Sequence, residues 1–187
     1  MGGGIVLTGG SSRRLGFDKA SVLVGPETAA ARAARVLGSV CSPVVEVGPG
    51  WCGVRAVREE PAGSGPLAGL VAGADALGTA PVVLFACDLL RVQRPLLALL
   101  AGWEGAASAV PIAGGRPQPV CARYGLDALA VARELLASGE QSMRALLAAV
   151  VVDFVPEARW RAVAPADAFD DLDTPEDLAR LGLHRPD

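Results

Sequence analysis

A glycine- and serine-rich loop that ends on a lysine is the part of this 187-residue sequence best suited to chemistry. It follows the apolar run 4–8 and reads Gly9-Gly10-Ser11-Ser12-Arg13-Arg14-Leu15-Gly16-Phe17-Asp18-Lys19. Glycines let backbone N–H groups approach phosphate oxygens closely. Arginine adds a planar fork of donors and lysine a compact charge. The loop therefore predicts a phosphate site, although it has neither the Walker pattern nor the dinucleotide G-x-G-x-x-G pattern.

The choice of basic residues singles out the end of this loop. Lys19 is the one lysine among 17 basic residues, and His184 is the one histidine. Keeping a lysine only here indicates that an ammonium group is needed, the alternative being a solvated surface residue. A single histidine excludes Ser-His-Asp triads, Cys-His pairs and zinc sites built on several histidines. Any chemistry must rest on carboxylates, arginines, backbone amides, hydroxyls and this lysine.

Asp88 is the second candidate, because it follows the apolar run 81–86, which predicts a buried strand. A carboxylate at a strand end can hold Mg²⁺, which keeps several waters and bridges substrate phosphates. The alternative is that Asp88 only caps the following turn; its position favours the metal site. Ligands of parallel sheets bind beyond the carboxyl ends of the strands. The loop 9–19 and Asp88 are therefore expected at the same edge of the sheet.

Weaker candidates lie in the second half of the chain. Asp170, Asp171 and Asp173 precede Thr174, which has the position of a helix N-cap. A solvated acidic cap is the preferred interpretation for Asp170, whereas Asp171 or Asp173 could supply a second metal or substrate contact. Gln118 lies at the polar entry to a predicted strand and could reach a substrate.

The elements that must position these residues alternate along the chain. Apolar runs predict strands at 4–8, 43–47, 52–57, 81–86, 106–112, 119–124 and 150–155. Periodic segments and N-cap residues predict helices over 28–37, 66–77, 95–103, 127–137, 142–149 and from 174 onward. This order predicts the α/β class, with a mostly parallel central sheet flanked by helices. The length and the lack of a linker indicate one domain.

Composition narrows the remaining classes. Hydrophobic residues make up 51% and charged residues 20%, which excludes a disordered chain. A net charge of −3 without a basic stripe argues against a nucleic-acid partner. The most apolar stretch, 67–90, contains Asp75, Pro81 and Asp88, so no membrane span is expected. The chain opens without a secretory signal pattern, and four cysteines without C-x-x-C spacing indicate buried thiols, so a cytoplasmic protein is expected.

Five blocks together resemble the molybdenum cofactor guanylyltransferases, a family of MobA-like nucleotidyltransferases. The loop, from Leu7 to Lys19, is similar to that family's signature L-x-G-G-x-S-x-R-M-G-x-D-K. The other four blocks follow in the family's order: Gly65-Pro66-Leu67-Ala68-Gly69-Leu70, Cys87-Asp88, Gln118-Pro119 and Asp173-Thr174-Pro175-Glu176-Asp177-Leu178. The blocks extend over nearly the whole chain, and the set is more specific than any one of them.

The resemblance implies a single-domain, Rossmann-like nucleotidyltransferase fold over 1–187, with a GTP-binding half in about 1–100 and an acceptor-binding half in about 101–187. It implies transfer of GMP from Mg-GTP to the terminal phosphate of molybdenum-bound molybdopterin, with release of pyrophosphate. GTP and molybdenum-molybdopterin are then the substrates and Mg²⁺ is the cofactor. Transient contact with other proteins of molybdenum cofactor biosynthesis, or with acceptor proteins, is compatible with this role.

The resemblance also assigns roles to residues. Lys19 would stabilise charge on the phosphates, Arg13 would help to cradle the triphosphate, and Asp88 would hold Mg²⁺. The implied nucleotide-binding positions are Leu7, Thr8, Gly9, Gly10, Ser12, Gly16, Lys19, Glu60, Gly65 and Asp88. Among them, Glu60 aligns with the family's guanine contact, where an aspartate is usual.

Departures from the family pattern leave alternatives open. Asp171 and Asp173, which with Gln118 are the implied acceptor-side residues, stand where asparagines are common, and a carboxylate there would repel a phosphate. Leu89-Leu90 replaces the usual M-P after Cys87-Asp88. The alternatives are a related nucleotidyltransferase that uses CTP or another phosphorylated acceptor, and a nucleotide-binding homologue without catalysis.

Overall fold

The computed structural model describes residues 2–9, 17–104, 108–172 and 174–183. The strands are β1 (Gly3–Leu7), β2 (Leu23–Val24), β3 (Glu27–Thr28), β4 (Val44–Val47), β5 (Arg55–Val57), β6 (Val82–Ala86), β7 (Ser108–Ala113), β8 (Arg116–Pro117), β9 (Cys121–Tyr124) and β10 (Val152–Val155). The helices are α1 (Ala29–Gly38), α2 (Pro66–Leu77), α3 (Arg94–Ala101), α4 (Leu126–Ala137), α5 (Met143–Ala149), α6 (Glu157–Trp160) and α7 (Pro175–Leu181). A single 3₁₀ turn covers Lys19–Ser21.

The main sheet has the strand order β10-β7-β9-β6-β1-β4-β5, and β8 pairs with β7. β1 lies between β4 and β6 and is parallel to both. β9 runs antiparallel to both of its neighbours, β6 and β7. The predicted α/β class with a mostly parallel sheet is confirmed. Because Leu7 is in register with Val47 and with Ala86, three strands end together at one edge.

Alternation along β1 builds two core layers, one on each face of the sheet. Ile5 packs in the cluster that contains Leu67 of α2. Val6 faces the other way, into the cluster that contains Leu37 of α1. Each fully buried aliphatic side chain of this kind stabilises the fold by about 1.5–3 kcal/mol. Gly73 of α2 allows close packing on β1, since a Cβ there would lie 2.7 Å from Ile5 Cγ2.

Local signals in the sequence set where the helices begin. The Thr28 hydroxyl accepts a hydrogen bond from the N–H of Ala31 at the start of α1. Thr174 and Asp177 form a reciprocal capping box at the start of α7. Both predicted N-caps are confirmed, and Pro66 occupies the first turn of α2 as expected.

Several strands start later than expected, and for two of them the hydrogen bonds give the reason. The strand predicted over 52–57 begins at Arg55, because the preceding N–H groups of 50–52 donate to a side chain instead of a neighbouring strand. The strand predicted over 119–124 begins at Cys121, whose N–H closes a turn onto the carbonyl of Gln118. Within the described ranges, no helix is long and apolar enough to cross a membrane.

Candidate functional site

A cavity of about 610 Å³ opens where β1, β4 and β6 end; it is called the strand-end cavity below. Backbone hydrogen bonds join these ends, from Thr8 N–H to the Val47 carbonyl and from Cys87 N–H to the Leu7 carbonyl. The cavity is lined by Leu7, Thr8, Gly9, Asp18, Lys19, Val47, Glu59, Ala62, Gly63, Gly65, Pro66, Gly69, Ala86, Cys87, Asp88 and Val120. The fold thus brings the described ends of the loop 9–19, Gly9 and Asp18-Lys19, to the same edge of the sheet as Asp88.

Lys19 and Asp88 meet in this cavity although 69 positions separate them in the chain. The Lys19 Nζ lies 3.2 Å from Asp88 Oδ2, and the two side chains are 18% and 24% exposed. Asp88 is placed by the turn after β6. Lys19 is placed by the 3₁₀ turn, which Ala20 anchors because it is fully buried. The pair is an ammonium and a carboxylate held together in the lining of the strand-end cavity.

The start of α2 contributes another part of the cavity lining. Gly65 is the N-cap, and its φ of 87° lies in the left-handed region that favours glycine. Gly65, Pro66 and Gly69 all line the cavity. Free N–H groups at a helix start, together with the helix dipole, attract anions. A triphosphate bound in this cavity would meet the Lys19 ammonium and the N–H groups at the start of α2.

Glu59, not its neighbour Glu60, lines the cavity. Glu59 Oε1 accepts a hydrogen bond of 2.9 Å from the N–H of Gly63, which fixes the carboxylate at the cavity wall. Glu60 is exposed. Sequence reasoning missed Glu59 because two adjacent glutamates precede the G-P-L-A-G block, and only the backbone direction distinguishes them.

Sequence reasoning also missed Glu46, a carboxylate in β4 that is 0% exposed. It accepts hydrogen bonds from the Thr8 hydroxyl at 2.5 Å and from three backbone N–H groups of the loop 50–52 at 2.7–2.8 Å. Burial acts to raise the pKa of Glu46, but these hydrogen bonds outweigh it, and the pKa lies below its ordinary value. The available signal was a single acid in the apolar run Val44-Val45-Glu46-Val47.

Gly48 makes the contact between Thr8 and Glu46 possible. A Cβ at this position would lie 2.0 Å from the Thr8 hydroxyl oxygen, closer than any side chain tolerates. Its φ of 154° also belongs to the region that glycine favours. The Gly48-Pro49-Gly50 run, which was predicted only to end a strand, therefore leaves room for the Thr8 hydroxyl to reach Glu46.

The other candidates divide into three groups. Gln118 and Asp171 are absent from the described lining of the strand-end cavity; the Gln118 amide donates to the Arg116 carbonyl instead, and Asp171 is exposed. Gly10, Ser12, Arg13, Gly16, Asp173 and His184 lie outside the described residues. Asp170 forms an ion pair with Arg180, as suits an acidic cap.

The cysteines have the character of buried thiols. Cys41, Cys87 and Cys121 are buried and Cys52 is half-buried, all as free thiols. Burial raises the pKa of Cys41 to about 11, which makes it unreactive at neutral pH. Across the described residues, no group of three or more His, Cys, Asp or Glu side chains could by itself enclose a metal ion.

Comparison with known proteins decides the family. The family described as "MobA-like NTP transferase domain" matches residues 4–168. The chain belongs to this family. This NTP transferase has relatives over most of its length. It is 34% identical over 192 residues to a probable molybdenum cofactor guanylyltransferase from Chloroflexus aggregans, covering 95% of this chain and 92% of the relative. A relative of the same name from Opitutus terrae is 38% identical, with 84% and 87% covered.

Solved structures agree on the fold of this NTP transferase. Molybdopterin-guanine dinucleotide biosynthesis protein A from Archaeoglobus fulgidus superposes with a TM-score of 0.79 at 22% identity, covering 96% of both chains. The 2-C-methyl-D-erythritol 4-phosphate cytidylyltransferase from Thermus thermophilus gives a TM-score of 0.66 at 18% identity, covering 97% of both. The expected nucleotidyltransferase fold is confirmed, and the family makes the chain an enzyme of this class.

Proposed function

We propose that this NTP transferase moves GMP from GTP to the phosphate of molybdenum-molybdopterin, forming the guanine dinucleotide form of the cofactor and releasing pyrophosphate. The observation that carries the proposal is the Lys19–Asp88 pair, which lines the strand-end cavity together with the start of α2. The names of the relatives from Chloroflexus aggregans and Opitutus terrae support the choice of nucleotide and acceptor.

The lining of the cavity suggests how GTP would lie. The triphosphate would bind between Lys19 and the start of α2, with Gly9 and the loop residues Gly10, Ser12, Arg13 and Gly16 completing the cradle. The base contact is moved from Glu60 to Glu59, because Glu59 is the one of the two that lines the cavity. Guanine presents adjacent N–H donors that one carboxylate accepts together, whereas cytosine presents a single amino donor.

Asp88 fits a divalent metal. Mg²⁺ is held in proteins by one or two carboxylates together with substrate phosphates and waters. Asp88 offers a partly exposed carboxylate, beside Lys19, in the same cavity as the proposed phosphate site. A structural neighbour, Rv0371C from Mycobacterium tuberculosis, was crystallised in complex with manganese; it is 14% identical, with a TM-score of 0.64. Bound Mg²⁺ would supply neutralising charge at the phosphates.

The reaction depends more on aligning the acceptor phosphate with the α-phosphorus of GTP than on proton transfer by a general acid or base. The acceptor phosphate is largely ionised at pH 7, since such groups have a second pKa of about 6. An oxygen of the acceptor phosphate forms the new bond to the α-phosphorus of GTP. The bond between the α-phosphorus and the oxygen that bridges to the β-phosphate breaks, and pyrophosphate leaves with that electron pair. The Lys19 ammonium would stabilise the charge that builds up on the phosphates. This scheme needs no histidine.

The acceptor side of the proposal rests on chain order. We assign GTP to about 1–100 and the acceptor to about 101–187, because all but one of the lining residues come from the first part. Val120, just before β9, is the described lining residue from the second part. Gln118, Asp171 and Asp173 remain the proposed acceptor contacts, with Gln118 two positions from Val120.

The test offers the purified protein molybdenum-molybdopterin and Mg²⁺ with either GTP or CTP. We expect nucleotide attachment and pyrophosphate release with GTP. Attachment with CTP alone would contradict the base assignment. If no pyrophosphate is released with either GTP or CTP, the proposed function as a whole is contradicted.

A further inference from the structure

We propose that Trp51 is a positioning residue for the Lys19–Asp88 pair, held in place by the buried carboxylate of Glu46. Trp51 would act through Asp18, without touching the substrate. The inference rests on the proposed function of the strand-end cavity, because it concerns the ammonium that is proposed to stabilise the phosphates.

The backbone of Trp51 is held by hydrogen bonds to the buried carboxylate of Glu46. Glu46 accepts the N–H groups of Gly50 and Trp51 on Oε1 and that of Cys52 on Oε2, at 2.7–2.8 Å. The Cys52 thiol donates in turn to the carbonyl of Ala30 in α1, at 3.3 Å. Three charge-assisted hydrogen bonds to one buried carboxylate are strong for a surface loop. The loop 50–52 is therefore anchored to β4 and α1.

The side chain of Trp51 reaches the site from this anchor. The indole Nε1–H donates to Asp18 Oδ2 at 3.1 Å, although the residue is 43% exposed. Asp18 Oδ1 accepts from the N–H of Ala20 at 3.0 Å, which caps the 3₁₀ turn that carries Lys19. Both oxygens of Asp18 are thus engaged, one by the turn and one by Trp51.

The engagement of Asp18 matters because Asp18 also lines the cavity, next to Lys19. Without the indole donor, one oxygen of Asp18 would be released beside the Lys19 ammonium and the proposed metal. An anion released there would compete with Asp88 for the ammonium and with the phosphates for the cation. Trp51 therefore holds Asp18 in its structural role at the 3₁₀ turn, so that Asp18 does not disturb the Lys19–Asp88 pair.

The chain offers a matched control for the indole bond. Trp103 Nε1–H donates to Asp153 Oδ2 at 2.9 Å. This pair lies in a separate groove, called the Trp103 groove below, which is lined by Leu99, Gly102, Trp103, Glu104, Val152, Asp153, Phe154 and Arg159. Trp51→Phe and Trp103→Phe remove the same kind of hydrogen bond and keep an aromatic ring in each place.

The first readout needs no substrate. Because Lys19 is the one lysine in the sequence, ¹³C-lysine labelling gives a single Cε signal from the chain. We expect this signal to shift in Trp51→Phe and to superpose on wild type in Trp103→Phe. Superposition of the Trp51→Phe signal on wild type would overturn the inference, whether or not the protein transfers GMP.

The second readout is the division between kcat and KM. Trp51→Phe is expected to lower kcat by about tenfold or more, while KM for GTP changes by less than about threefold. Trp103→Phe is expected to keep both values. A shifted Lys19 signal with unchanged kcat would overturn the positioning role. Wild-type protein that transfers no nucleotide would count against the proposed function, and the Lys19 signal would still decide the contact.

Discussion

The strand-end cavity and the Trp103 groove are similar in size, about 610 Å³ and about 680 Å³. Each is lined by an aspartate that accepts a hydrogen bond from an indole, Asp18 from Trp51 and Asp153 from Trp103. The groove, however, lies beside β10 at the end of the sheet, with Phe154 48% exposed. The cavity gathers an ammonium, two aspartates, a glutamate and a helix start from segments far apart in sequence. The groove also carries charged side chains, so a lysine–aspartate pair combined with a helix start, more than volume, distinguishes the candidate functional site.

The largest effect is expected when one carboxylate is neutralised in each region, Asp88 in the strand-end cavity and Asp153 in the Trp103 groove. Asp88→Asn is expected to lower turnover at least about a hundredfold, because the phosphates lose the proposed metal contact. The thermal unfolding midpoint should stay near that of wild type. Asp153→Asn, in the Trp103 groove, is the matched control and should leave turnover unchanged. Near-normal Mg-dependent turnover in Asp88→Asn would contradict the metal assignment.

Lys19→Arg sharpens the role of the ammonium. We expect about a tenfold or greater loss of kcat, because a planar guanidinium cannot replace a compact point charge at one oxygen. Pyrophosphate release under saturating GTP measures it. Arginine occupies every other basic position of the chain, so an ammonium at this position is expected to have a specific role. An unchanged rate would contradict that role and would indicate that Lys19 is only a surface residue.

Glu59→Gln tests the base contact and should have a smaller effect. The ratio of kcat/KM for GTP to that for CTP is expected to fall about tenfold, because an amide replaces an acceptor-only carboxylate. Competition between the two nucleotides measures the ratio. Glu60→Gln is the paired variant, and a larger loss of selectivity there would move the contact back to Glu60.

Glu46→Gln concerns stability and its pH dependence. The folded pKa of Glu46 lies below its ordinary value of 4.5, so its contribution is present above that pH and is lost as the pH falls through the folded pKa. At pH 7 we expect Glu46→Gln to lower the free energy of unfolding by about 1–3 kcal/mol. Urea unfolding from pH 7 to pH 3 should show the difference shrinking below pH 4.5. A difference independent of pH would argue against an ionised Glu46.

Much of the fold could be predicted because its signals are local. Apolar runs predicted β1 and β6, and Thr28 and Thr174 predicted the starts of two helices. The rule that ligands bind at the carboxyl ends of parallel strands predicted that Lys19 and Asp88 lie at the same edge, and they form an ion pair there. The position of β9, antiparallel between β6 and β7, depends on long-range pairing that no local pattern specifies.

The missed parts of the site share one physical cause. In the sequence, Glu46 is only an acidic residue that interrupts an apolar strand. In the fold, its carboxylate accepts hydrogen bonds from the N–H groups of the loop 50–52. Trp51 reads as an isolated aromatic until its indole meets Asp18, 33 positions away. Each role is created by a contact between segments, so neither residue type nor spacing reveals it.

The most direct test of the central claim is a crystal structure of the protein with Mg²⁺ and a non-hydrolysable GTP analogue. The account predicts the triphosphate between Lys19 and the start of α2, the metal on Asp88 and the guanine edge against Glu59. A nucleotide bound in the Trp103 groove, or a triphosphate that touches neither Lys19 nor Asp88, would contradict it.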